Sequence, residues 1–219
     1  MSWLSTDSRF YRALGLATDL VLLNLLLVLV SLPVVTAGAG LVGCLVVCLG
    51  MVTGDGVRPR RTFFTAFAHG LVPATVAWLG TLALAGLMVW EWLVAGQLIS
   101  AAATLAIRAV LLLAALLLGM VSTWFWPLLA RRATAGNPVR LAELAPLLRT
   151  ALLASIKYLP RSLLGMLIVV IPPLAGLVSV QVGVRLLLWF VLIGWALASY
   201  LVVLVLRHPL GIEVAPDEQ

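Results

Sequence analysis

Charge is what this sequence has least of. Charged residues make up 10% of its 219 positions, with eight acidic side chains, two histidines and a single lysine. A soluble domain carries about 25%. The shortage excludes most site chemistry. The histidines, His69 and His208, form no H-E-x-x-H pair. Asp19 is the only acid well inside an apolar run, and Asp55 falls in a loop, so no pair of intramembrane aspartates is available. No phosphate-binding Walker loop occurs, and no serine has a base placed to activate it. Cys44 and Cys48 are too few for a disulfide framework. Four apart on a helix, they are either a redox pair on consecutive turns or small apolar side chains in a core. These absences point away from any cofactor or metal and from an enzyme, leaving an intramembrane enzyme as the weakest reading, behind a non-enzymatic accessory protein and a small autonomous transporter.

Apolar residues fill the space, at 63% of the chain and a mean hydropathy of +1.19. Six runs of about 20 residues, the length that crosses ~30 Å of hydrocarbon, cover residues 13–32, 34–52, 71–94, 109–130, 152–171 and 186–206. Backbone groups in lipid must be satisfied within the segment, so these runs are helices. The expected fold is all-α: a polytopic membrane helical bundle of six transmembrane helices, one domain over residues 1–219. Pro33 ends the first run and Gly54-Asp55-Gly56 the second. Pro172-Pro173 ends the fifth, Pro209 and Gly211 the sixth, and Asn137-Pro138 reads as a helix start before the fifth. Residues 33–40 are either a turn between two spans or a re-entrant segment. The first run is too long for a signal-peptide core of roughly 7–15 residues and carries Asp19 and Asn24. It reads as an uncleaved span.

Thirteen arginines and one lysine give a pI near 10.4. With six spans, twelve basic residues fall on one side and two, Arg108 and Arg185, on the other. Merging the first two runs gives ten against four. The positive-inside rule therefore favours six spans with both termini cytoplasmic. It also makes anionic lipid headgroups, not nucleic acid, the partner of the basic loops. Pro138–Thr150, with Leu141, Leu144 and Leu148 on one stripe, and Thr62–Gly70, with Phe63, Phe64 and Phe67, read as interfacial helices.

Trp90/Trp92 and Trp124/Trp126 fall where aromatic belts lie, while Trp78, Trp189 and Trp195 fall deeper and are expected between helices. Residues 111–132 and 186–207 align without gaps, pairing Gly119 with Gly194, a faint parallel repeat. Gly38-Ala39-Gly40-Leu41-Val42-Gly43 matches G-x-G-x-x-G but lacks the strand and the distant acid of a dinucleotide site. Ala39 and Gly43 instead form a small-x-x-x-small pair for close helix packing. Asp19 has two readings: an interfacial partner of Arg12, or a proton- or cation-coupling site helped by Asn24. Glu91 could pair with Arg108, and Lys157 and Arg161 snorkel.

Three segments resemble the YesL-like family of bacterial integral membrane proteins. They are Asp19-Leu-Val-Leu-Leu-Asn24 with Ser31-Leu-Pro-Val-Val-Thr-Ala-Gly38; Phe63-Phe64-x-x-Phe67; and Phe125-Trp-Pro-Leu-Leu-Ala-Arg131 followed by Ala151 and Leu159-Pro160. His69-Gly70 departs from the pattern. The resemblance implies a multi-pass protein of the bacterial inner membrane, of no established activity, associated with carbohydrate uptake and binding-protein-dependent importers. It implies permease subunits as partners, supplies no catalytic residues, and marks Asp19, Asn24, Pro33, Thr36 and Gly38 as a shared element.

Overall fold

The computed structural model describes residues 9–55, 58–97, 100–134, 138–176 and 179–212. These are helical almost throughout: α1 (Arg9–Ser31), α2 (Ala37–Thr53), α3 (Pro59–Ala95), α4 (Ala101–Thr134), α5 (Leu144–Lys157), α6 (Leu159–Ala175), α7 (Val180–Trp189) and α8 (Trp195–Leu206). One-turn 3₁₀ segments at Val34–Thr36 and Leu141–Glu143 precede α2 and α5, and a π-turn at Phe190–Gly194 joins α7 to α8. Five stretches are long and apolar enough to cross a membrane, and the bent α5–α6 pair makes a sixth if counted as one span.

The expected first and second spans match α1 and α2. Of residues 33–40, Pro33–Thr36 make a tight turn and Ala37–Gly40 already belong to α2, which packs against α1. α2 sits at the centre and touches α1, α3, α4 and α8. Cys44 and Cys48 are free and fully buried there.

The expected third and fourth spans are too short. α3 runs 37 residues and α4 runs 34, about 55 and 50 Å at the α-helical rise. Thr62–Gly70 is therefore not a separate interfacial helix: it is the first part of α3, and Phe63 is wholly buried. Pro59 opens α3 at its first helical position. Pro73 does not stop it, although proline cannot donate to the carbonyl of His69 four residues back. That carbonyl accepts from the Val139 N–H at 3.3 Å instead, so the freed group stays paired. The Ser100 hydroxyl accepts from the amide of Ala103 at the start of α4.

The fifth span is the largest correction. Leu141–Lys157 and Leu159–Ala175 are two helices bent by 106°, so residues 152–171 are not one straight rod. Tyr158, at φ −113 and ψ 45, makes the corner. Pro160 lacks the N–H that would bond Ile156 and crowds the residue before it. Pro138 is not helical, and Asn137 lies outside the described residues. The helix opens instead at Arg140, whose N–H donates to the Glu143 carboxylate at 3.2 Å. Pro172 and Pro173 fall inside α6 rather than ending it. In α5, Leu147, Ala151 and Ser155 are buried, and α5 packs against α4. Of the anticipated stripe, Leu141 and Leu148 are exposed, whereas Leu144 packs against the core.

The sixth span starts at Val180, capped by the Ser179 hydroxyl, and is interrupted by the π-turn. This breaks the resemblance between 111–132 and 186–207. Gly119 approaches Met166 in α6, whereas Gly194 lies against Trp189 and Phe190 of its own turn.

The tryptophans are partly reassigned. Trp90 is exposed as expected, and Arg108 stacks 4.9 Å from the ring of Trp92 rather than pairing with Glu91. Trp124 and Trp126 are core residues, not a belt; Trp126 packs 6.1 Å from Trp78. Trp189 and Trp195 are exposed, because Phe190 between them takes the inward position.

Candidate functional site

The five residues marked in the first hairpin do not form one site. They do three separate structural jobs, and Asp19 stands apart from all of them.

Asn24 lies on the stripe of α1 that carries Leu20, Leu23 and Leu27, and is completely buried. Its amide nitrogen donates to the carbonyls of Phe190 at 2.8 Å and Val191 at 2.7 Å. Its amide oxygen accepts from the Ala196 N–H at 2.9 Å. These three groups flank or belong to the π-turn, where the shift from i→i+4 to i→i+5 bonding leaves backbone groups out of register. Asn24 thus fastens α1 to the α7–α8 junction by supplying what the helix cannot. Gly194 permits the turn: a Cβ there would come within 2.6 Å of Phe190 and 2.7 Å of Trp189.

Thr36 closes α1. Its hydroxyl donates to the carbonyl of Val30 and, at 2.9 Å, to that of Pro33, while its N–H also reaches Pro33 at 2.9 Å. The last carbonyls of a helix have no partner of their own. Pro33 ends helical bonding, and Thr36 covers the carbonyls left behind. The Trp78 indole N–H donates to Val34 at 2.8 Å, tying the turn to α3.

Gly38 sets the distance between α2 and α3. A Cβ there would lie 2.5 Å from the Trp78 Cβ and 2.6 Å from the Ala74 carbonyl. Gly43, five residues further on, would meet the Phe63 carbonyl at 3.0 Å, and Gly40 faces α1 at Val30. The close approach anticipated for Ala39 and Gly43 therefore belongs to Gly38 and Gly43 on the α3 side, with Gly40 serving α1.

Asp19 is half-buried in α1. Five residues along a helix is about 140° round its axis, so Asp19 and Asn24 project from different faces. With three of its four hydrogen-bonding positions used, Asn24 has little left for an ion. The side chain of Arg12 lies outside the described residues.

Sequence reasoning missed Ser162. This fully buried serine holds the α5–α6 corner. Its hydroxyl donates toward the carbonyls of Ser155 and Tyr158, both at 3.0 Å, and accepts from the Trp124 indole N–H at 2.7 Å. Trp124 also stacks on Tyr158 at 5.4 Å. The available signal was Leu159-Pro160, which marks a break but not what braces it.

Among the described residues no three His, Cys, Asp or Glu side chains cluster as metal ligands would. Phe63 lies against Gly43, and Trp126 against Trp78, which holds the turn at Val34. No family model, curated protein or solved structure matches the chain.

Proposed function

We propose that this is a six-span protein of the bacterial inner membrane, with both termini cytoplasmic, that serves carbohydrate uptake as a non-catalytic accessory to the permease of a sugar importer. The observation that carries the non-catalytic part is the use of the buried polar groups. Asn24, Ser162 and Ser199 are buried; Asn24 and Ser162 are committed to backbone carbonyls and an indole. Polar groups spent this way hold helices together and leave little to bind a substrate. The sugar link rests on the resemblance of the Asp19–Gly38, Phe63–Phe67 and Phe125–Arg131 segments alone, which is an association and not a mechanism. The outer halves of α3 and α4 supply the surface such a partner would need: Leu84, Leu87, Val110 and Leu113 are all exposed.

The topology rests on the division of basic residues and on the α5–α6 bend. On this reading Lys157 and Arg161, which flank the corner, sit at an interface, with α6 crossing and α5 lying along the surface. Introduced cysteines near Ser5, Asp55 and Asn137 should resist labelling in intact cells, while those near Gln97 and Ser179 should label. Labelling at Ser5 would replace this topology with five spans.

A second reading, a small autonomous transporter, is favoured by one observation: Asp19 is a half-buried carboxylate within a span, and such groups are costly unless used. Asp19→Asn separates the two. The accessory reading expects co-purification of a permease to survive the change. The transporter reading expects normal folding and lost ion-coupled uptake in liposomes holding this chain alone.

A further inference from the structure

At the end of the bundle that carries most of the basic residues, α2, α3, α4 and the turn after α8 leave an open hollow of about 620 Å³. Its floor is apolar, with Val46 and Leu49 of α2, and its walls carry Arg58, Arg61, Arg131 and Asp55. The size is that of a small-ligand pocket, roughly 300–1,000 Å³.

The three guanidinium groups come from two elements. Arg58 and Arg61 flank the start of α3, and Arg131 lies in the last turn of α4. Arg131 is fixed in the wall by donating to the carbonyl of Leu210 in the turn after α8. Arg58 precedes α3 and makes no side-chain cap, so the first-turn amides of Arg60 and Arg61 have no helical acceptor. Asp55 is held by the Thr53 hydroxyl at 2.7 Å. The C-terminal ends of α2 and α4 oppose an anion, the N-terminal end of α3 favours one, and each amounts to about half a charge. Among the described residues, three guanidiniums against one carboxylate and one uncancelled helix end leave an excess of roughly one to two positive charges.

We propose that this hollow is a binding site for a phosphate group, as an anionic phospholipid headgroup or as a free phosphate. Guanidinium forks match phosphate oxygens in pairs. The apolar floor beside a basic wall suits an ester whose other end is greasy. The site differs from general attraction to anionic headgroups because adjacent arginines are left out of it: Arg60 and Arg132 carry the same charge one residue away but do not line the hollow. The proposal does not depend on the accessory reading.

The test uses the purified full-length chain in neutral detergent. It is titrated with phosphatidylglycerol, with phosphatidylcholine, and with inorganic phosphate at constant ionic strength, reading bound lipid by native mass spectrometry and stability by thermal unfolding. Wild type should bind phosphatidylglycerol saturably and phosphatidylcholine not at all. Arg58→Gln and Arg61→Gln should each weaken binding on the order of tenfold, the loss of one charge-assisted contact. Both side chains are exposed, so melting without ligand should not change. Arg60→Gln and Arg132→Gln should leave binding within about twofold of wild type, there being no direct contact to lose. Protection by phosphatidylglycerol alone assigns the site to a lipid; protection by inorganic phosphate as well assigns it to the phosphate group itself. Equal losses in the two pairs of variants, or no saturable binding of either anion, would overturn the site.

Discussion

α2 and α4 are equally apolar, yet they live in different surroundings. Their best membrane-length stretches have mean hydropathies of 2.3 and 2.4, but 61% of the residues in the first are buried against 6% in the second. Hydropathy reports that a helix avoids water. It does not report whether lipid or protein replaces the water, because lipid tails are as apolar as leucine. Side-chain size makes the difference. α2 carries Gly38, Ala39, Gly40 and Gly43 in its first turns and lets α1 and α3 approach. The exposed part of α4 is built on Leu105, Val110, Leu112, Leu113 and Leu117. The same contrast runs along α3, where Phe63, Ala66, Gly70 and Ala74 are buried while most of the later half is exposed.

The contrast breaks most severely at Asn24. Asn24→Leu keeps the branched shape but strips partners from Phe190, Val191 and Ala196. The expected cost is about 2–4 kcal/mol, since each unpaired buried group costs on the order of 1 kcal/mol or more. It should be read as a fall in unfolding midpoint in detergent and in membrane accumulation. A variant as stable as wild type would mean that the π-turn needs no outside partner.

Next comes a direct comparison of glycines. Gly38→Leu meets side chain and backbone of α3 within 2.6 Å, whereas Gly80 and Gly86, in the exposed half of α3, have nothing within 4 Å. Gly38→Leu should cost about 1–3 kcal/mol or more through overpacking. Gly80→Leu and Gly86→Leu should be neutral or slightly stabilising, because glycine is a poor helix former. Equal stability losses at all three positions would show that the outer half of α3 is packed against something after all.

Ser162→Ala is expected to cost about 1–2 kcal/mol by leaving the Trp124 indole N–H without an acceptor. Its second sign is local: the α5–α6 corner should exchange amide hydrogens faster while α2 stays protected. Uniform loss of protection would make the corner part of the core rather than a separate brace.

The smallest expected effect is at Pro73. Pro73→Ala restores an N–H that competes with Val139 for the His69 carbonyl. Stability should move by less than about 1 kcal/mol, near the net worth of one hydrogen bond. Protection of the Val139 amide should fall. Unchanged protection would remove the link between Pro73 and the segment after α4.

The sequence was read correctly where composition alone decides: an all-helical chain with five or six stretches long and apolar enough to cross a membrane. Expectations failed where backbone groups are satisfied by distant partners. Pro73 looks like nothing in particular until Val139 is seen on the carbonyl it frees, and Pro172-Pro173 looks like a stop although α6 continues through it. Asn24 stood out in the sequence as a polar residue in an apolar run, with a coupling role open. Its bonds to residues more than 160 positions away turn it into a fastener. Ser162 gave no signal because serines with and without a role look alike in a sequence.

By itself, then, the sequence determined that the chain is helical and apolar, since 63% hydrophobic residues in runs of span length admit no other way to satisfy the backbone in lipid. It also determined where the charge collects. The tertiary structure alone decided which apolar faces meet protein, where the fifth run bends, and which polar side chains are used up. Those outcomes depend on shape fit and on hydrogen-bond partners from elsewhere in the chain, and neither is encoded in hydropathy or in the period of a single helix.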